Sequence, residues 1–107
     1  MAELFGLICD ISGIQQRELL DTKKCQKREY VIPRQVHMAV LHTVFDLSLA
    51  DSGYIYEKNH STVLHSLNTV NDLLEVDMEF RNKYIKVWQF CLKQNKFSIK
   101  KLNLNWL

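Results

Sequence analysis

Residues 33–66 read PRQVHMAVLHTVFDLSLADSGYIYEKNHSTVLHS, and the way this stretch divides into helices decides the fold. Pro33 suits the first position of a helix, where its missing N–H costs nothing. It also pushes Ile32, just before it, toward an extended shape. The helix it opens is apolar at Val36, Met38, Ala39, Val40, Leu41, Val44 and Phe45. Those positions cover most of the circumference, the pattern of a central, buried helix. Ser48 can cap a short next helix, with Asp51 reaching back in a variant of the capping box. Gly53 and the Tyr-Glu-Lys run soon interrupt it. A third helix follows, with Asn59 as its cap and Val63, Leu67, Val70 and Leu74 as its apolar stripe. The head of this helix, Lys58, Asn59, His60, Ser61 and Thr62, is polar throughout. One or two such residues would cap it; a whole run suggests an end that faces something other than water. On a wheel turning about 100° per residue, Ser61, His65, Asn68 and Asp72 lie opposite the stripe and Thr62 on its flank. His60 falls inside the apolar sector, which predicts a half-buried histidine, although a first-turn side chain can also project past the helix end.

Upstream, Leu4, Phe5, Leu7, Ile8 and Ile11 predict a helix ending near Ser12-Gly13, and Ile14, Leu19 and Leu20 a short second one. From Thr22 to Arg34 the chain holds Lys23, Lys24, Lys27, Arg28 and Arg34 against Glu29, five positive charges to one negative. This segment shows no clear apolar period and reads as a loop. The plain account of such a run is a solvated surface. Downstream, Phe80, Tyr84, Val87, Trp88 and Cys91 form the stripe of a final helix. A second basic group, Lys93, Lys96, Lys100 and Lys101, lies beyond it. The tail, FSIKKLNLNWL, fits either a fraying helix end or a short extended piece. The expected division is therefore one domain over 1–96 and a tail over 97–107.

A chain of 107 residues with 47% hydrophobic and 24% charged residues suits a single domain with a real core. No apolar run is long enough for a bilayer, and the N-terminus lacks the pattern of a signal peptide. Three cysteines without close pairing suit reduced thiols in an intracellular protein. The formal net charge of +2 is by itself weak evidence for a nucleic-acid partner. Gly6, Gly13 and Gly53 never meet the spacing of a phosphate loop. His37 and His42, like His60 and His65, are separated by roughly 140° on a helix, poor for a metal, and no CxxC supports one. Cys25 lies in the basic loop, which can lower a thiol pKa, but no orienting histidine or aspartate can be assigned to it. No catalytic residue, cofactor or metal is expected.

A buried helix, a short capped helix, a tight turn and a helix with a polar head describe a helix-turn-helix. The second helix of that motif enters the major groove N-terminus first, and its free N–H groups favour phosphate. At this point the residues resemble a family. The 33–66 stretch is similar to the C-terminal DNA-binding domain of the bacterial replication initiator DnaA. That family has a PRQ-type helix start, an "SL…IG" helix and a signature close to basic-Asp-His-Thr-Thr-Val-hydrophobic-His, which Lys58 to His65 match nearly position for position. The likeness extends to ISGIQQRELLDTKK upstream and LLEVDMEFRNKYIKVW downstream.

The resemblance implies an all-α, five- or six-helix, Trp-repressor-like domain that binds double-stranded DNA. It implies contacts to bases and phosphates at Lys58, Asn59, His60, Ser61 and Thr62. It implies further contacts at Arg34 and Gln35, and a minor-groove role for Lys23 and Lys24. Ser48 and His65 complete the candidate DNA-binding set. A cytoplasmic, nucleoid-associated protein of a bacterium or phage follows, with another replication protein as an open second partner and no membrane. The sequence departs from the family in four places. The Gly-Gly turn before the signature is missing and the turn is one residue shorter. Asn59 replaces an aspartate, and Ser61 a threonine. The loop before Pro33 is about two residues longer. Two functions stay open: a DNA-binding module in replication or transcription control, without ATPase, or a protein-interaction module that keeps the fold.

Overall fold

Residues 2–94 of a computed structural model are described, and they form six helices with no strand among them. The helices are α1 (Ala2–Ser12), α2 (Gln16–Leu20), α3 (Arg28–Thr43), α4 (Leu49–Tyr54), α5 (His60–Val76) and α6 (Met78–Gln94). The expected all-α architecture is the one found. The tail over 97–107 lies outside the described residues.

Local chemistry sets most of the helix ends. Gly13 closes α1 in the left-handed conformation, φ 70°, and its N–H and that of Ile14 both donate to the Cys9 carbonyl. Only glycine holds that conformation without a steric penalty. The Ser48 hydroxyl accepts from the Asp51 N–H at 3.0 Å to cap α4. The Asn59 side chain caps α5 in the same way, accepting from the Thr62 N–H at 2.9 Å. At Asp77 the chain breaks between α5 and α6, and its carboxylate accepts from the Phe80 N–H at 3.0 Å.

One boundary differs from expectation. Pro33 does not open α3; the helix starts at Arg28, and Pro33 sits inside it. Ile32 is therefore helical rather than extended, and only residues 21–27 remain as loop. The missing Pro33 N–H leaves one helical hydrogen bond unmade. Its would-be acceptor, the carbonyl of Glu29, belongs to an exposed residue in the first turn, where water can serve it.

α3 is the axis of the fold. Val36, His37, Met38, Ala39, Val40 and Leu41 are all buried in succession, because α1, α2, α4 and α5 each pack on a different side of it. α5 lays Val63, Leu67, Val70 and Leu74 against this axis, as their spacing predicts. α6 supplies Phe80, Tyr84, Val87, Trp88 and Cys91 and packs on α1 and α5, with Tyr84 Oη 3.0 Å from Ser12 Oγ.

The turn from α4 to α5 does without the glycine pair of the family. Glu57 takes the left-handed conformation instead, φ 54°, at a cost of roughly 1–2 kcal/mol for a residue with a Cβ. Two features hold it. The Gly53 carbonyl accepts from both the Tyr56 and the Lys58 N–H, at 3.1 and 2.9 Å. Tyr56 is itself buried, with Oη 2.6 Å from His37 Nδ1. Gly53 is required by space: a Cβ there would collide with the Lys58 carbonyl and with Val63. No helix among the described residues is long and apolar enough to cross a membrane.

Two outcomes follow. Burial holds the His37 pKa down to about 4, so the folded chain refuses a proton that the unfolded chain accepts near 6.5. Stability should therefore fall as pH drops from about 6.5 toward 4, and show no such dependence above that window. Between pH 7 and 5 the loss should be about 2 kcal/mol. Urea unfolding at both pH values checks this, and His37→Gln should flatten the difference. The second concerns Ser52, whose hydroxyl is buried without a hydrogen-bond partner. Ser52→Ala removes that orphan and should raise stability by about 1 kcal/mol, readable in the same unfolding curves.

Candidate nucleic-acid interface

The basic loop owes its shape to one buried cation. Arg34 is 5% exposed. Its Nε–H donates to the Leu19 carbonyl at 2.5 Å, Nη1 to Cys25 at 2.7 Å, and Nη2 to Glu18 at 2.9 Å and Asp21 at 3.1 Å. Four of the five guanidinium N–H groups are thus used on main-chain oxygens. Glu18 and Leu19 lie in the last turn of α2, where the dipole favours a positive charge; the Glu18 carbonyl also accepts from the Asp21 N–H, at 3.3 Å. Burial draws the Arg34 pKa down from its usual value, and the carbonyl dipoles supply the compensating field. Arg34, for which the resemblance implies a DNA contact, is buried, and its hydrogen bonds are made inside the protein. An arginine buries readily where several carbonyls converge, and that convergence is tertiary.

The loop itself is tightly turned. The Asp21 carboxylate accepts from the Lys24 N–H at 3.0 Å, and Gln26 Nε2 donates to the Lys23 carbonyl at 2.7 Å. Glu18 braces α2 from the other side. One of its oxygens accepts from the Gln15 N–H and the other from the Tyr30 hydroxyl, at 2.9 and 3.2 Å. This geometry leaves Lys23, Lys24 and Lys27 exposed.

Between this loop, α3 and the start of α5 runs a groove of about 290 Å³, lined by Thr22, Gln26, Gln35, Lys58, Thr62 and Ser66 among others. It brings together Arg34, Gln35, Lys58 and Thr62 of the expected set. Asn59, His60, Ser61 and His65 are exposed on the head and outer face of α5, outside the groove lining. His60 is a second correction: it is exposed, not half-buried. The wheel places it over the core, but the residues before it, Glu57 to Asn59, are exposed and supply no apolar cover. Ser48 is exposed too, its oxygen used as the α4 cap. Sequence reasoning missed Thr22, Gln26 and Ser66. Ser66 stands one turn below Thr62 and donates to its carbonyl at 2.9 Å, so the i, i+4 spacing from Thr62 was the available signal.

The first turn of α5 contains no acidic residue. With Lys58 before it and the free N–H groups of a helix start, this end of the molecule offers hydrogens and positive potential. Residues 2–70 match the family described as the bacterial dnaA protein helix-turn-helix. The chain belongs to that family. Among curated relatives, the DnaA chromosomal replication initiator of Bacteroides fragilis is 40% identical over 73 residues, 67% of this chain and 15% of that protein. The DnaA protein of Leptospira biflexa is 26% identical over 81 residues, 76% of this chain and 18% of its own length. That of Rickettsia canadensis is 42% identical over 57 residues, 52% of this chain and 12% of its own. The chain thus spans less than a fifth of each of these DnaA proteins. The match takes in α1 to α4 and most of α5, so the groove and the head both lie within the DnaA-like region.

Because Arg34 ties three segments together, Arg34→Ala should cost about 3 kcal/mol or more, leaving the Leu19 and Cys25 carbonyls without a donor and opening a cavity. Arg34→Lys should recover little of it, since an ammonium cannot span the four oxygens. Thermal melting of the three proteins checks this. An unchanged melting temperature in Arg34→Ala would return that residue to the surface role.

Proposed function

We propose that this chain binds double-stranded DNA, with the head of α5 in the major groove and the lysine loop on the phosphate backbone. The observation that carries the reading is the pairing of two exposed, donor-rich features across one groove. Lys58, Asn59, His60 and Ser61 stand on one side of it, and Lys23, Lys24 and Lys27 belong to the loop on the other. Each feature alone is an ordinary solvated surface. Held on a shared scaffold, they fit a helix in a groove flanked by phosphates. The relatives' name, chromosomal replication initiator, supports a role for such binding in replication initiation, or in control exerted at the same sites.

A second reading has its own observation. An apolar cleft of about 420 Å³ opens between α1, α3 and α4, lined by Phe5, Leu20, Leu41, Leu47, Tyr54 and Ile55 among others. Tyr54 is 84% exposed beside it. Such a cleft favours a protein partner, and it does not overlap the groove lining, so the two readings are compatible.

Phosphate contact makes binding salt-dependent through counterion release. If Lys23, Lys24, Lys27 and Lys58 each neutralise one phosphate, the slope of log affinity against log salt should be about −3.6, a roughly fiftyfold loss for threefold more salt. Lys58→Ala should bring the slope closer to zero by about 0.9. Titration of a labelled duplex at several salt concentrations measures both. No binding at micromolar protein in low salt would overturn the DNA reading and leave the protein-partner reading in its place.

A further inference from the structure

The α5 cap decides which hydrogen-bonding groups Asn59 has left to offer. Its side-chain oxygen accepts from the Thr62 N–H at 2.9 Å. A main-chain N–H can only donate, so the amide cannot be flipped: oxygen faces the helix and the NH2 group faces away. Asn59 is exposed, so that NH2 group meets whatever lies ahead of the helix. Its neighbour Lys58 is also a pure donor, and no carboxylate occupies the first turn.

We infer that Asn59 reads a base edge as a donor only, and selects guanine. The inference rests on the DNA-binding reading above and deepens it. In the major groove, guanine presents two acceptors, N7 and O6; thymine presents one, O4, beside a methyl group; cytosine presents a donor, and adenine an acceptor beside a donor, so guanine offers a pure donor the most. An asparagine read free of its surroundings pairs best with adenine, through oxygen and NH2 together. Here the cap bond holds the oxygen turned toward the helix, and swinging it out to pair with adenine would leave the Thr62 N–H unpaired. The aspartate that the family signature carries at this position also caps a helix, but what it presents beyond the cap is a second acceptor, suited to the cytosine amino group. The change to Asn59 therefore exchanges acceptor for donor at one base pair while leaving the helix start intact.

The test is selection of bound duplexes from a random pool by the full chain, by Asn59→Asp and by Asn59→Ser. Each replacement keeps a good capping oxygen, and melting curves should stay close to that of the parent. The parent should enrich guanine at one position, by roughly tenfold over other bases. Asn59→Asp should enrich cytosine at that position and leave the others unchanged. Asn59→Ser, too short to reach, should lose preference there alone. A duplex carrying 7-deazaguanine at that position removes the N7 acceptor and should bind the parent several-fold more weakly, a measurement that needs no variant to fold. Identical selected sequences from the parent and Asn59→Asp would overturn the inference. So would adenine selected by the parent at a position that Asn59→Asp no longer reads. In either case duplex binding itself would stand. Failure of the parent to enrich any sequence or to bind any duplex would instead remove the DNA-binding reading, and this inference with it.

Discussion

The guanidinium of Arg34 is the interaction on which the interface depends. A buried cation without a carboxylate partner is ordinarily unfavourable. It is stable here because four carbonyl oxygens from α2 and the following loop point at it. Those of Glu18 and Asp21 also accept main-chain N–H groups, whereas those of Leu19 and Cys25 would be costly to leave unpaired, so cation and carbonyls resolve each other. The result fixes a lysine-bearing loop against the central helix before any ligand arrives. Ordering such a loop on binding would cost roughly 1–2 kcal/mol per residue in backbone entropy. Here much of that ordering belongs to the folded state.

The central helix carries polar groups in its interior, and each has a defined partner. His37 and Tyr56 share one hydrogen bond, and burial keeps both neutral, lowering the histidine pKa and raising the tyrosine pKa. Phe5 packs at a tilt on the same imidazole, 5.7 Å between ring centres. Through Tyr56 this pair anchors the turn before α5, so the angle of the polar head is set from the middle of α3. Arg34 and His37 stand three residues apart on that helix. One holds the lysine loop and the other the recognition turn, which gives both sides of the groove a single rigid origin.

Most of the helices were legible in the sequence, because the information that makes them is local. Asn59 and Ser48 cap by bonds three residues long, Gly13 ends α1 by its own conformation, and the stripe of α5 is visible in its spacing. What escaped depended on distant parts of the chain. The first turn of α3, Arg28 to Ile32, precedes a proline and has no clear period, and it is helical because tertiary packing outweighs one missing bond. Arg34 looked like a surface charge because nothing near it in sequence announces four converging carbonyls. His60 looked half-buried because a helical wheel carries no knowledge of where the core runs out. At the interface, Gln35, Lys58 and Thr62 of the expected set line one groove, while Thr22 and Gln26 join it only through the fold of the loop.

The crowding at Gly53 separates two kinds of sequence change in this molecule. The exposed residues from Lys58 to Ser61 bear on packing little, apart from the cap, so they can be exchanged one at a time without disturbing the helix behind them. Gly53 touches no ligand, yet any side chain there would push the Lys58 carbonyl aside and tilt all of α5. Such a change would move the whole head of the helix at once. Variation at the tip and variation in its pose are therefore separable in this fold, and the pose is held by a residue with no side chain at all.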